Sequence, residues 1–304
     1  MGRYLERAAH ASRMLQHQVS ALIDRPADEI YAGWRLIYGS LKSLPSGGIL
    51  EEEGDDYTLA DAFTLAGDLT FEQGNPNSIR CCLENGRENA RQMRHCISNR
   101  MWLHLNFEFL DFKSTEIFGI WKSEPEKFYA DIEKHMTAFF GLADTSMYRD
   151  ARWRFIQLGR AVERTQLSAA LLSCCHATPG QDAELRPRQM RTVLRIFSAS
   201  DSHDRIHGHA IDNGVVLDML ATDVRLPGSL CNHIAAIDTH LTSLSGDGPE
   251  ECRRARTSSS RLGDLISHQW GRVRDRHAVL SDVESETRRL HDMIDGCFFN
   301  YRID

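Results

Sequence analysis

The sequence predicts an all-α protein, a helical bundle formed by two diverged copies of one helical unit. Three observations lead there: apolar residues recur at helical spacing along most of the chain, no segment alternates with period two, and two short patterns occur twice in the same order. The 21 Gly and 8 Pro of the 304 residues are few, and Pro is confined to apparent loops and helix starts, which suits helices better than a sheet. We read residues 1–304 as a single helical domain with an internal repeat of about 2–143 and 144–304.

Leu5, Ala8, Ala9, Ser12, Leu15, Val19 and Leu22 share one helical face, which predicts a helix over 2–24. Ile30, Trp34, Ile37, Leu41 and Leu44 repeat the pattern over 28–44, before Pro45-Ser46-Gly47-Gly48 breaks it. The acidic run Glu51 to Asp56 reads as a solvated loop. At Asn75-Pro76 a capping Asn precedes a Pro tolerated at the first helical position, which predicts a helix from there to about Ser98. Ser123 and Glu126 flank Pro125 in a capping-box pattern, opening a helix through Phe139. Residues 146–176 read as one long helix, followed by helices over 186–200, 212–222, 227–245, 250–270 and 277–299. Gly180 to Glu184 and Ser245 to Pro249 are the later loops.

A net charge of −7 with both signs interspersed offers no basic stripe, so no nucleic acid is expected as a partner. No apolar run approaches the ~18 residues that cross a bilayer, and no basic-then-apolar leader opens the chain. A cytoplasmic location follows as the expectation, with no membrane contact. The eight cysteines form no C-x-x-C pair, and Cys81-Cys82 and Cys174-Cys175 fall within apolar helical patterns, so reduced core thiols are expected.

The repeat rests on two matches. Gly2-Arg3-Tyr4-Leu5-Glu6-Arg7 returns 157 residues later as Gly159-Arg160-Ala161-Val162-Glu163-Arg164. Leu69, Glu72, Pro76, Ser78 and Ile79 align with Leu220, Asp223, Pro227, Ser229 and Leu230, each shifted by 151. Two matches in one order indicate a duplicated unit whose copies bury faces that each alone would expose. Arg149, Trp153, Phe155 and Leu158 precede the second motif, whereas the first begins directly after Met1. The first copy therefore reads as lacking about three turns, at ~3.6 residues per turn, through truncation or a misplaced start.

Several blocks resemble one family. Gly2-Arg3 through Glu6-Arg7 is similar to the G-R-Y-x-E-R opening of the bacterial alpha-E family, a helical domain of unknown function with a Glu-Arg motif. Asn75-Pro76-Asn77-Ser78-Ile79 resembles its N-P-x-S-I block, Arg87-Glu88-Asn89-Ala90-Arg91 its R-E-N-A-R block, and Ile97-Ser98 with Met101-Trp102 its I-S-x-x-M-W block. Arg149-Asp150 with Trp153-Arg154-Phe155 resembles the lead-in to its second Glu-Arg motif. Departures are Arg100 in place of Glu, Gln73-Gly74 in place of Pro-Asp, and Ala170 in place of the Arg that Arg13 matches in the first copy. The resemblance implies two partners, an ATP-grasp ligase-like protein and a transglutaminase-like protease, in an amide-forming or peptide-modifying system.

Candidate site residues follow from spacing. Arg3, Glu6, His10, Arg13 and His17 lie three or four residues apart, on one stripe beside the apolar face of the first helix, with Arg7 completing the Glu-Arg pair. They suit interhelical ion pairs, or a pocket whose spare guanidinium donors grip a substrate carboxylate or phosphate. The second copy keeps Arg160, Glu163 and Arg164, but Leu167, Ala170 and Cys174 complete its stripe, so any pocket is asymmetric. Arg87, Glu88 and Arg91, with Trp102 and Asn106, and Arg149 with Trp153, are further candidates for a pocket or for a solvated charged face. The duplication leads to the expectation that buried Glu–guanidinium contacts from both copies meet in one interior.

His203 and His207 would lie one helical turn apart and are the nearest approach to a metal motif, but Gly208 and polar neighbours favour surface histidines. No metal and no cofactor are expected. G-x-x-x-x-G-K-[ST], G-x-G-x-x-G and G-x-S-x-G are all missing from the sequence, so the chain itself is not expected to activate ATP or to use a serine nucleophile. The functional expectation is a non-catalytic or co-catalytic partner of an amide-bond-forming system. The alternative is a stand-alone enzyme holding an anionic substrate in an Arg/Glu pocket.

Overall fold

The apolar spacing that opens the chain becomes α1, Gly2–Ala21, in a computed structural model that describes residues 1–45, 58–176, 185–245, 250–273 and 275–299. Among these residues every regular element is helical: fourteen α-helices, a 3-10 turn and a π-helical stretch. The all-α expectation holds. The chain divides into two compact units, Met1–Ile156 and Gln157–Asp304.

The first unit contains α1, α2 (Ala27–Leu41), α3 (Thr58–Phe71), α4 (Ile79–Gln92), α5 (Asn99–Lys113), α6 (Ile117–Lys122) and α7 (Pro125–Ser146). Thirteen of the twenty residues of α1 are buried, so α1 is a central helix rather than a surface amphipath. It packs most extensively on α7 and α4. Leu5, Met14 and Leu15 of α1 join Trp34, Tyr38, Tyr129, Phe139 and Phe140 in the core. Each such side chain contributes about 1.5–3 kcal/mol through burial. A central helix must also satisfy its polar side chains internally: Ser12 Oγ donates to the Ala8 carbonyl at 2.8 Å, and Gln18 Nε2 to the Ile30 carbonyl at 2.7 Å.

Gly86 sets how closely α4 approaches α1. A Cβ there would lie 2.6 Å from Leu5 Cδ2 and 3.2 Å from Leu5 Cγ, and Leu5 is fully enclosed. Ala gains up to ~1 kcal/mol of helix propensity over Gly, but overpacking a filled core costs ~1–3 kcal/mol. Gly86→Ala is therefore expected to destabilise the first unit by about 1 kcal/mol, read from urea unfolding. An unchanged or higher midpoint would show that Leu5 has room to move.

Several predicted boundaries are corrected. Asn75 does not cap a helix, because its amide is committed elsewhere: Oδ1 accepts from Asn77 N at 3.0 Å and Nδ2 donates to Asp68 at 2.9 Å. Ser78 is the N-cap of α4, accepting from Cys81 N at 3.1 Å. The helix expected to reach Ser98 ends at Gln92, a 3-10 turn over Arg94–Cys96 follows, and Ser98 caps α5. Ser123 forms no capping box, since its hydroxyl donates back to the Gly119 and Ile120 carbonyls at the end of α6. Residues 146–176 are not continuous: α7 ends at Ser146, and Asp150 Oδ1 accepts from Arg152 N at 2.9 Å to open the next helix. The acidic run 51–56 and the loops expected at 180–184 and 246–249 lie outside the described residues.

That next helix, α8 (Ala151–His176), contains the division between the units. The second unit continues with α9 (Leu185–Ile196), α10 (Ser200–His207), α11 (Asn213–Thr222), α12 (Leu230–Ser245), α13 (Glu250–Asp264) and α14 (Arg276–Phe298), with π-helical geometry over Leu265–Gln269 after α13. Asp218 of α11 accepts from Trp270 Nε1 at 2.7 Å and pairs with Arg276 at 2.8 Å, fixing the turn between α13 and α14. A Cys252–Cys297 disulfide joins those two helices. The expectation of reduced cysteines is corrected for this pair: nothing in the spacing announces it, because helix packing alone brings residues 45 apart together.

The α3–α4 and α11–α12 junctions are alike in length. The former runs from Phe71 to Ile79 and the latter from Thr222 to Leu230, both bounds shifted by 151 residues. Leu69, Ser78 and Ile79 are fully buried, as are Leu220, Ser229 and Leu230. No helix among the described residues is long and apolar enough to cross a membrane.

Candidate functional site

The Glu-Arg pair of the first unit lies on the central helix, and its two side chains have different tasks. Glu6 is 2% exposed, and Arg13, two turns along α1, reaches it at 3.4 Å. Arg13 also lies 3.7 Å from Glu133 of α7, so a single guanidinium bridges carboxylates on two helices. His10 shares this stripe and is buried, while Arg3 and His17 are half-buried. The stripe expected beside the apolar face is thus partly inside the core.

Arg7 points to the Asn75–Ile79 block of the sequence. Its Nη1 donates to Asn77 Oδ1 at 3.2 Å, and Asn77 Nδ2 donates to the Leu41 carbonyl at the end of α2 at 3.3 Å. The adjoining Asn75 is held by Asp68, which also accepts from Tyr38 OH at 2.8 Å. Burial, reinforced by the neighbouring Asp68 carboxylate, drives the Tyr38 phenol well above its ordinary pKa. The Glu-Arg motif and the Asn-Pro turn therefore form one bonded brace across α1, α2 and the α3–α4 junction.

The charges on α4 separate. Arg87 Nε donates to Asn106 Oδ1 of α5 at 2.9 Å, and its guanidinium stacks 5.6 Å from the Trp102 ring and 4.9 Å from Phe109. Glu88 and Arg91 pair with each other at 2.7 Å in solvent, and the hydrogen bond from Arg91 holds the Glu88 carboxyl down at about 2. Arg87, Trp102 and Asn106 thus come together, whereas Glu88 and Arg91 form a solvated face. Arg149 is exposed and stacks 4.4 Å from the Trp153 ring, whose Nε1 donates to Asp144 at 3.0 Å.

In the second unit Glu163 is 1% exposed, with Arg160 and Arg164 half-buried on the same helix. Gly228 occupies the position 151 residues after Asn77, so the second unit has no side-chain amide there. His203 corrects the expectation of surface histidines: it is fully buried, with Asp204 Oδ1 3.6 Å from its Nδ1, while His207 is exposed. Asp204 itself is held below the ordinary carboxylate range, first by its hydrogen bond from His209. Gly208, with φ of +80°, ends α10 as the sequence suggests.

A family model named Alpha-E, described as a predicted alpha-helical domain with a conserved ER motif, matches residues 1–299. The chain belongs to the Alpha-E family. The chain carries two Glu-Arg pairs, Glu6-Arg7 and Glu163-Arg164, each with its carboxylate buried and its guanidinium half-buried. An uncharacterised protein of Mycobacterium bovis and one of Mycobacterium tuberculosis are each 24% identical over 319 residues, covering 99% of this chain and 35% of the relative. An uncharacterised protein from a second strain of Mycobacterium tuberculosis is 23% identical with the same coverage. The Alpha-E chain thus spans about a third of the length of the curated relatives it matches. No solved structure matches it.

One group of side chains in the Alpha-E chain escaped the sequence reading. His104 and Glu108 of α5 meet His135 of α7, all half-buried. The signal was a His-x-x-x-Glu spacing, which places both side chains on one helical face. It goes unread while 99–113 is not recognised as a helix.

Proposed function

We propose that the Alpha-E chain is a helical scaffold that works with a separate amide-bond-forming enzyme of the ATP-grasp class, with a transglutaminase-like protease as a further partner. The observation that carries this reading is the enclosure of Glu6: its carboxylate is held by Arg13, while Arg7 is bonded into the Asn77 brace. A carboxylate and guanidinium committed to their own fold serve to hold shape, and the chemistry then falls to another polypeptide. About two-thirds of each mycobacterial relative lies outside the matched region, which fits a helical unit acting beside further polypeptide.

We also read the two units as diverged copies of one ancestral unit. The equal shift of the α3–α4 and α11–α12 bounds and the paired burial at Ser78 and Ser229 support that ancestry. The copies differ where Asn77 faces Gly228 in the alignment, so the brace has specialised in the first unit.

Co-expression with an ATP-grasp ligase-like protein tests the partner reading. The two are expected to co-purify, and ATP consumption coupled to amide formation is expected to depend on the presence of the Alpha-E chain. Turnover of an anionic substrate by the homogeneous chain alone, lost in Glu6→Gln with the fold intact, would establish the stand-alone enzyme instead.

A further inference from the structure

We infer that His104, Glu108 and His135 form a binding site for a divalent first-row metal ion of the zinc class. One ligand atom from each lies within 4.8 Å of the other two. Glu108 Oε2 is 3.1 Å from His135 Nε2, and Glu108 Oε1 is 3.9 Å from His104 Nδ1. Ligand atoms bound tetrahedrally at 2.0–2.2 Å stand roughly 3.3–3.6 Å apart, so the two separations bracket the required spacing. Closing the set needs the Glu108 carboxylate and the two imidazole rings to draw together from separations of at most 4.8 Å.

A second observation fixes the tautomer. His104 Nε2 lies 2.8 Å from the His135 backbone carbonyl, an acceptor that keeps the proton on Nε2. The lone pair is then on Nδ1, the nitrogen that faces Glu108. Orientation of a ligating imidazole through its other nitrogen is the usual outer-shell support of a metal site. Two imidazoles and one carboxylate suit zinc or its neighbours rather than calcium or magnesium, which take oxygen. With three protein ligands, and side chains 18%, 25% and 36% exposed, the ion keeps a coordination position open to water. The ion would tie α5 to α7, independently of the Glu6 brace and of the partner reading.

The test is a Zn2+ titration of the full chain, first stripped with a chelator and then followed by competition with a chromophoric chelator. One ion per chain is expected, with the dissociation constant raised about 100-fold in His104→Ala and in His135→Ala, and about 10–100-fold in Glu108→Gln. The His203→Ala/His207→Ala variant, on a different unit, is expected to bind as the unaltered chain does. Glu108→Gln preserves size and packing, so it decides the matter if the histidine variants fail to fold. Absence of Zn2+ binding to the unaltered chain, or equal binding by Glu108→Gln or by folded His104→Ala/His135→Ala, would overturn the assignment.

Discussion

Reduction of the Cys252–Cys297 bond is expected to lower the stability of the second unit by about 4 kcal/mol, the loop-closure entropy that a 45-residue separation removes from the unfolded chain. Cys252 is enclosed on α13 and Cys297 is half-buried near the end of α14. Without the bond, α14 keeps its buried stripe of Val279, Leu280, Val283, Leu290 and Ile294, so the unit is weakened rather than abolished. The check is hydrogen exchange of α13 and α14 peptides in the oxidised chain, in the dithiothreitol-treated chain and in Cys252→Ser/Cys297→Ser. Local exchange is the right readout, because it reports the opening of α13 and α14 directly. Equal protection in all three would mean that the bond constrains nothing.

Glu6→Gln is expected to cost the first unit about 2–3 kcal/mol. Removing one partner of a fully buried ion pair costs ~3–5 kcal/mol, because the other charge is left uncompensated. Here the cost is smaller for two reasons. Arg13 is 19% exposed, and Glu133, 3.7 Å away, retains an opposite charge beside it. The loss is read from urea unfolding followed on the four tryptophans of the first unit, Trp34, Trp102, Trp121 and Trp153. A cost below ~0.5 kcal/mol, the level of an ordinary surface substitution, would place Glu6 outside the load of the fold.

Much of the helical content was legible because apolar spacing survives wherever one face of a helix is buried and the other is wet. α2 shows this, with Ile30, Trp34 and Ile37 all buried. Two helices broke the rule. α3 places Leu, Ala, Phe and Thr around its whole circumference, and α5 leaves Leu103, Phe107 and Leu110 in solvent opposite its buried Met101, Leu105 and Phe109. Apolar residues on every side erase the periodicity that a sequence reading depends on. Capping signals failed for a different reason. Asn75 and Ser123 both have capping chemistry, but the Asn75 amide oxygen accepts from Asn77 N in the turn before Ser78, and the Ser123 hydroxyl donates to carbonyls at the end of α6.

The site was legible to the same extent. The stripe from Arg3 to His17 was visible because it lies within one helix, where spacing alone sets adjacency. The Arg7–Asn77 bond crosses 70 residues, and Arg13–Glu133 joins α1 to α7. Such contacts are set by packing, which no local pattern encodes. His135 met the α5 pair in the same way.

The central claim is that the Glu-Arg motif of the first unit braces the fold. A double-mutant cycle on Glu6→Gln and Arg13→Met, measured by urea unfolding, tests it most directly. The account predicts a coupling energy of about 1–3 kcal/mol between the two sites, with the double variant no less stable than Glu6→Gln alone. Additive effects, with no coupling beyond ~0.5 kcal/mol, would contradict it.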